Sequence, residues 1–440
     1  MSAAPASHSR DAFPRATRRA LPVIVLSALA TVLIAWGAAG PRSAQIALYS
    51  EAVVIDGNGA RSLVAEGDDV LLHEGTRVVD DPATSTDDTL AEAQRAWLAA
   101  GELPGQDGPY ADLVTDALLD MRTLVLDNGA SVAAWSPYWR YVWPRDSSFV
   151  AVALARTGHT EDALAILDFL AQVQEPDGSF QARYLPDGSG ETPDERGEQT
   201  DGVGWVLWAS NQVLQSVPAD EQRATAEHLL PLVERTAGHA VSLVAGDGLP
   251  DPSPDYWEVH EDELTLGTVA PVLAGLRGAD EFYTALGDDE SAATVRAAAD
   301  LTEEAVEEEF DDYGRYADGD LADAASAFTL PPFQPEALDG AWEAWTDSAE
   351  DMARPAGGLA PGEGWRQDGV SWTPQTSLYA LTAASNGDDE QAQVWLDWLD
   401  QHRTSLGALP EKVLDDGSPA AVAPLAWTAA CVVLAVDALE

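Results

Sequence analysis

Cysteine is almost missing: Cys431 stands alone in 440 residues, so no intramolecular disulfide can form and no thiolate cluster can hold a metal. It lies in the apolar run Ala429–Leu439, where a buried, inert thiol is expected. Lysine is as scarce, with Lys412 its sole representative. Basic residues number 23 against 75 acidic ones, a formal charge of −52. A field of that sign repels nucleic-acid phosphates and anionic membrane surfaces, which argues against both as partners of the folded chain. No βαβ alternation and no repeat of fixed period is visible, so neither a doubly wound sheet nor a solenoid with a readable code is expected.

Apolar residues and tryptophan, by contrast, are plentiful. With 46% hydrophobic residues the chain can bury a large core. Its 15 tryptophans offer flat apolar faces that suit the C–H faces of sugar rings, although any one of them is first of all a core residue.

Four arginines, Arg10, Arg15, Arg18 and Arg19, precede an uncharged stretch over 20–40 that is long enough to span a bilayer. It reads as a transmembrane anchor with residues 1–19 as a cytoplasmic tail, or as a signal peptide cut near Gly37-Ala38-Ala39. Either form exports the chain beyond Pro41. Residues 41–88 read as a short β-rich element and linker: Ala52–Ile55 runs into the turn Asp56-Gly57-Asn58-Gly59, Val70–Leu72 is another apolar run, and Asp80–Asp88 is polar with Pro82.

From about Thr89 to residue 440 the spacing predicts helices. Tyr110–Leu126 places Leu113, Ala117, Leu118, Met121, Leu124 and Val125 on one face. Further runs are Ser147–Arg156, Glu161–Val173, Gly202–Leu214, Ala219–Val244, Glu263–Leu276, Ser291–Phe310, Ser371–Ala384, Asp389–Gln401 and Pro424–Leu439. Gly/Pro/Asp-rich loops separate them. An all-α array of about a dozen helices packed in pairs fits.

Three segments combine aromatics, charges and turns beyond what helix packing needs. In Tyr138–Asp146, Pro144 opens a helix, so Arg145 and Asp146 fall in its first turn, where an Asp is also an ordinary dipole-favoured residue. In Pro254–His260, Glu258 follows Trp257, and an apolar neighbour disfavours the charged form, as a general acid requires. The plain alternative makes Glu258, Glu261, Asp262 and Glu263 the acidic start of the next helix. In Leu409–Val413, Glu411 is delivered by a loop just ahead of the final apolar helix Pro424–Leu439.

In this order and spacing the three segments resemble glycoside hydrolase family 15, the glucoamylase family. Tyr141–Asp146, Trp257-Glu258, and Pro410-Glu411 through Asp416-Gly417 to Pro424–Trp427 carry the resemblance. Supporting stretches are Gly158–Ala163, Gln199–Gly202 and Asp323–Ser326. It covers about residues 105–440 and implies an (α/α)6 barrel, here over 89–440, with a pocket at one end. With the N-terminal segment read as an anchor, this domain is expected outside a bacterial cell membrane, or secreted if that segment is cleaved. Glu258 would then be general acid and Glu411 general base. Inversion would set their carboxyls about 6.5–9.5 Å apart. Tyr141, Trp143, Arg145, Asp146, Asp201, Trp257, Arg366, Trp372 and Trp427 would hold the sugar, with Trp205 a further candidate for the wall.

The implied reaction releases glucose from the non-reducing end of maltodextrin or isomalto-oligosaccharide. Two carboxylates suffice for it, so no cofactor or metal is implied, and no obligate protein partner is evident. An α,α-trehalase of the same family, a catalytically silent sugar-binding protein, or a toroid of unrelated purpose are the alternatives. Two departures stand out. Many family members carry a second Glu directly after the acid, where this chain has Val259. The region ahead of the barrel is also too short for the large β-sandwich usual in bacterial members.

Overall fold

Helices that are apolar on every side alternate along this chain with helices that are apolar on one face, and that alternation builds the fold. The structure, a computed structural model, describes residues 45–80, 88–310, 312–317 and 321–440. The expected anchor or signal segment 20–40 and most of the 80–88 linker lie outside these residues. Among the described residues, no helix is long and apolar enough to cross a membrane.

Among the described residues the first element is a hairpin of β1 (Ala52–Ile55) and β2 (Arg61–Val64), paired antiparallel with Ala52 opposite Val64. Its turn closes because Asp56 Oδ1 accepts from the Asn58 and Ala60 amides at 2.8 and 2.9 Å, while Gly59 takes φ 82°.

Twelve α-helices come after it: α1 (Thr89–Ala100), α2 (Ala111–Leu124), α3 (Pro144–Arg156), α4 (Thr160–Val173), α5 (Asp201–Ser216), α6 (Gln222–Leu243), α7 (Leu266–Leu286), α8 (Asp289–Glu309), α9 (Ala341–Met352), α10 (Thr373–Ser385), α11 (Asp389–Gln401) and α12 (Ala426–Ala438). A 3-10 segment spans Ala324–Thr329. Three two-residue strands, β3 (Ser371–Trp372), β4 (Lys412–Val413) and β5 (Pro419–Ala420), form one antiparallel sheet in the order β3-β4-β5.

In α3, α10 and α12 nearly every residue is buried. A helix with no polar face must be surrounded. These three join α5, α7 and the 3-10 segment in a closed ring: α3 packs on α5, α5 on α7, α7 on the 3-10 segment, that on α10, α10 on α12, and α12 back on α3. Outside the ring α2, α4, α6, α8, α9 and α11 each cover an inner member. The result is a mostly helical chain of six outer–inner pairs, consistent with an (α/α)6 toroid. The tightest approach, α5 against α7, depends on Gly204 and Gly275: a Cβ on Gly204 would lie 1.9 Å from the Pro271 carbonyl oxygen.

Several boundaries differ from the sequence reading. The run beginning at Ser371 opens as strand β3, and the helix starts at Thr373 with Pro374 in its first turn, where a missing N–H costs nothing. The run Glu263–Leu276 starts later, at Leu266, and continues to Leu286, with charged residues taking its outer side beyond Leu276. Helix α9 and the 3-10 segment were not among the expected runs. Helix α9 buries Ala341, Trp345, Ser348 and Met352, a helical spacing that two small residues and four acidic ones conceal.

Candidate active site

The N-terminal ends of the inner helices converge on a cavity of about 440 Å³, within the range of small-ligand sites, ~300–1,000 Å³. Arg145 and Asp146 enter from the first turn of α3, Glu258 from the loop before α7, Trp372, Pro374 and Gln375 from the start of α10, and Trp427 from the start of α12. The positive ends of the helix dipoles thus face a space lined by three carboxylates, Asp146, Glu258 and Glu411.

Arg145 is the hub. It is buried, donates through Nη1 to Asp201 Oδ2 at 2.7 Å and through Nη2 to Glu258 Oε1 at 2.9 Å, and stands 3.5 Å through Nε from Asp146 Oδ2. Burial opposes its charge, but Asp201, Asp146 and Glu258 together hold it above the ordinary guanidinium value. Desolvation pushes both buried aspartates, Asp146 and Asp201, up to about 6, against the pull of Arg145.

Glu258 sits at φ 58°, a left-handed conformation that non-glycine residues avoid and that concentrates at functional sites. Its carboxylate meets donors on both oxygens. Arg145 and Gln199 Nε2 (3.1 Å) reach Oε1, and Arg196 makes a close ion pair with Oε2 while also standing 3.3 Å from Asp194. This corrects the expectation of an acid seated against apolar surface: Trp257 instead lies over the guanidinium of Arg315, 3.6 Å to the ring centroid. Arg315 in turn binds Asp255 (3.1 Å), Glu261 (2.6 Å) and Asp323 (3.0 Å), all buried. Asp255 accepts the Trp257 amide at 2.9 Å, and its carbonyl accepts that of Glu258 at 2.9 Å. The Glu258 loop is therefore fastened from below by one buried arginine, and Glu261 belongs to that fastening rather than to the start of α7.

Glu411 is held through its backbone. Its N–H donates to Val422 O at 2.8 Å and its carbonyl accepts from Thr373 N at 3.1 Å, with the Thr373 hydroxyl donating to Pro410 O. Lys412 Nζ lies 3.1 Å from Glu411 Oε2 and 4.2 Å from the centroid of Trp372.

Trp257, Trp365 and Trp372 meet edge to face at 4.9 and 5.5 Å, an aromatic arc from the Glu258 loop to Lys412. The buried indole N–H groups of Trp143, Trp257, Trp365, Trp372 and Trp427 find no protein acceptor, although all five side chains line the cavity. Buried donors without acceptors are uncommon in a packed interior.

Of the residues singled out in the sequence, Glu258, Glu411, Trp143, Arg145, Asp146, Trp257, Arg366, Trp372 and Trp427 line this one cavity. Arg145 and Asp146 are buried, which removes their reading as a surface arginine and a mere cap. Three others do not line it. Asp201 is 1% exposed and stands behind Arg145. Tyr141 lies behind Arg183, whose guanidinium is 4.8 Å from its ring. Trp205 is wholly buried in the aromatic core with Phe149, Trp208, Phe328 and Phe333. Val259 is 38% exposed and outside the cavity wall. Sequence reasoning passed over Arg183, Arg196, Tyr256, Trp365 and Gln375, all of which line the cavity. Cations in a loop of so acidic a chain were the available signal for the first two.

No family model matches the chain. Over 174 residues, 39% of this chain, it is 29% identical to an uncharacterized glycosyl hydrolase of Methanocaldococcus jannaschii, of which it covers 27%. The match thus spans about a quarter of that relative's length. Over 313 residues it is 26% identical to an isomaltose glucohydrolase of Kribbella flavida, covering 65% of this chain and 78% of the relative. Among solved structures, a bacterial glucoamylase complexed with acarbose superposes with a TM-score of 0.65 at 16% identity, over 82% of this chain and 59% of that one, a likeness of fold. The relatives in sequence and the neighbour in fold are glycosidases, the kind of protein that the sequence motifs resemble.

Proposed function

We propose that this chain is an inverting glycosidase that removes glucose from the non-reducing end of α-glucosides, with Glu258 as general acid and Glu411 as general base. The observation that carries the reading is the meeting of two carboxylates, distant in sequence, in one cavity with a buried Arg145–Asp146 pair and several tryptophans. Protonating an alkoxide leaving group needs an acid on one side of the sugar, and water attack needs an ionised carboxylate on the other. Asp146 offers acceptor capacity to sugar hydroxyls. Donation from Glu258 requires a proton on its carboxyl, so its pair with Arg196 opens as the sugar enters and Arg196 falls back on Asp194. Lining tryptophans supply faces for the ring.

Isomalto-oligosaccharides are the first substrates to try, because the Kribbella flavida relative is an isomaltose glucohydrolase. Display of the 89–440 domain outside a membrane, through segment 20–40, completes the proposal. The test is product analysis on isomaltose, maltose, panose, dextran and trehalose. Release of glucose with the β anomer formed first, followed by NMR, is the expected result. α-Glucose formed first would make Glu411 a nucleophile rather than a base, trehalose as the sole substrate would turn the reading to a trehalase, and no turnover at all would leave a silent sugar-binding protein.

A further inference from the structure

The chain carries one ε-ammonium group, and it stands in this cavity against the proposed base. Lys412 is on β4 directly opposite Trp372 on β3, so the contact of its Nζ with the Trp372 ring, 4.2 Å to the centroid, is a cross-strand pair. The same Nζ is 3.1 Å from Glu411 Oε2, and the Lys412 side chain is 16% exposed. Glu411 Oε2 is buried without an aligned hydrogen bond, which leaves the ammonium as its partner. The other charged groups that line the cavity are Arg145, Asp146, Arg183, Arg196, Glu258 and Arg366; among the described residues, Lys412 is the cation within 4.0 Å of Glu411. Arg145, Arg183 and Arg196 already have carboxylate partners of their own in Asp201, Asp194 and Glu258.

We propose that Lys412 is the positioning residue of the base: clamped between Trp372 and Glu411, its ammonium occupies Oε2 and fixes the carboxylate, so that Oε1 takes the proton of the attacking water. This rests on the reading of Glu411 as general base. The ammonium holds one carboxylate oxygen by ion pairing, and the aromatic face below fixes an otherwise mobile side chain. Arginine in its place would keep the charge but not the compact point contact.

The experiment measures kcat and KM separately on isomaltose, or on an aryl α-glucoside, for the wild type, Lys412→Met and Lys412→Arg. Without the cation the carboxylate is no longer fixed toward the water, while the sugar contacts stay. Lys412→Met should therefore lower kcat by about tenfold with little change in KM. Lys412→Arg, which keeps the charge, should recover part of that loss. Labelling with trinitrobenzenesulfonate, which meets a single ε-amine here, gives a second measurement: in Glu411→Gln the amine loses its carboxylate partner and should react several-fold faster than in the wild type. An active wild type whose kcat is kept in Lys412→Met, or a labelling rate unchanged by Glu411→Gln, overturns the proposal alone. A wild type silent on every glucoside overturns the hydrolase reading and the role of Lys412 with it.

Discussion

The two carboxylates facing the cavity are held in opposite ways. Glu258 stands on a left-handed residue in an irregular loop, and its position is set by side-chain donors, Arg145, Gln199 and Arg196. Glu411 stands at the edge of a three-stranded sheet, and its position is set by backbone hydrogen bonds to Val422 and Thr373. Side-chain donors can exchange partners within the cavity, whereas a sheet ladder cannot do so without unravelling. The difference matches the tasks proposed for them: the acid must lose a cation to gain a proton, while the base has to keep one distance to one water.

The sharpest test of that contrast is to neutralise each carboxylate in turn. Glu411→Gln and Glu258→Gln should each lower hydrolysis of isomaltose by about a thousandfold. On α-glucosyl fluoride, whose leaving group needs little acid, Glu258→Gln should recover most of its rate and Glu411→Gln should not. Equal recovery in both would erase the distinction between acid and base.

Next in size is Arg145→Met, which strips the acid of its anchor and leaves Asp201 buried without its cation. A loss of about 3–4 kcal/mol in unfolding free energy is expected, read by urea denaturation against the exposed control Arg223→Met. A variant no less stable than that control would mean that the arginine hub does not hold the acid side together.

Asp146 gives a smaller effect with a defined sign. Its folded value of about 6 lies above the ordinary 3.8, so the folded state binds its proton more tightly than the unfolded chain. Stability from this group is present below pH 4 and is lost as pH rises through 6. Asp146→Asn should therefore compare more favourably with the wild type at pH 7.5 than at pH 4, by at most about 3 kcal/mol. A difference of opposite sign in thermal melts at the two pH values would show that Arg145, not burial, governs Asp146.

On the base side, Thr373→Val removes the hydroxyl that ties Pro410 to α10 and meets Thr428 Oγ1 at 2.9 Å. It should cost about 1 kcal/mol of stability and lower kcat more than it raises KM, since the ladder around Glu411 loosens while the sugar contacts stay. An unchanged kcat would mean the backbone bonds suffice.

Inner helices such as α3 and α12 were legible because a run with no polar face has few folds open to it. Arg145–Asp146, Glu258 and Glu411 were legible for a different reason: their order and their neighbours Trp143-Pro144, Trp257 and Pro410 resemble those of a known family, whereas each motif alone is weak. What stayed hidden depends on long-range pairing. Nothing near Arg315 in sequence says that it closes on Asp255, Glu261 and Asp323 beneath Trp257. Asp201 was named a sugar ligand through the resemblance carried by Gln199–Gly202, and only the three-dimensional packing puts Arg145 between it and the cavity. Glu258 was expected against tryptophan, and the arginines that meet it come from α3 and from the loop before α5.

The segment ahead of the hairpin gives this fold a mechanical property. Tyr49 N donates to Ala421 O at 2.7 Å, Ala421 N to Ala47 O at 3.0 Å, and Ser50 Oγ to Ala423 O at 2.6 Å. Those bonds grip the very stretch whose Val422 carbonyl receives the Glu411 amide. A pull applied at residue 45 is therefore carried by the 421–423 strap before it reaches any helix of the ring. Tension applied there would be felt first at Glu411, so the proposed base and residues 47–50 share one set of hydrogen bonds.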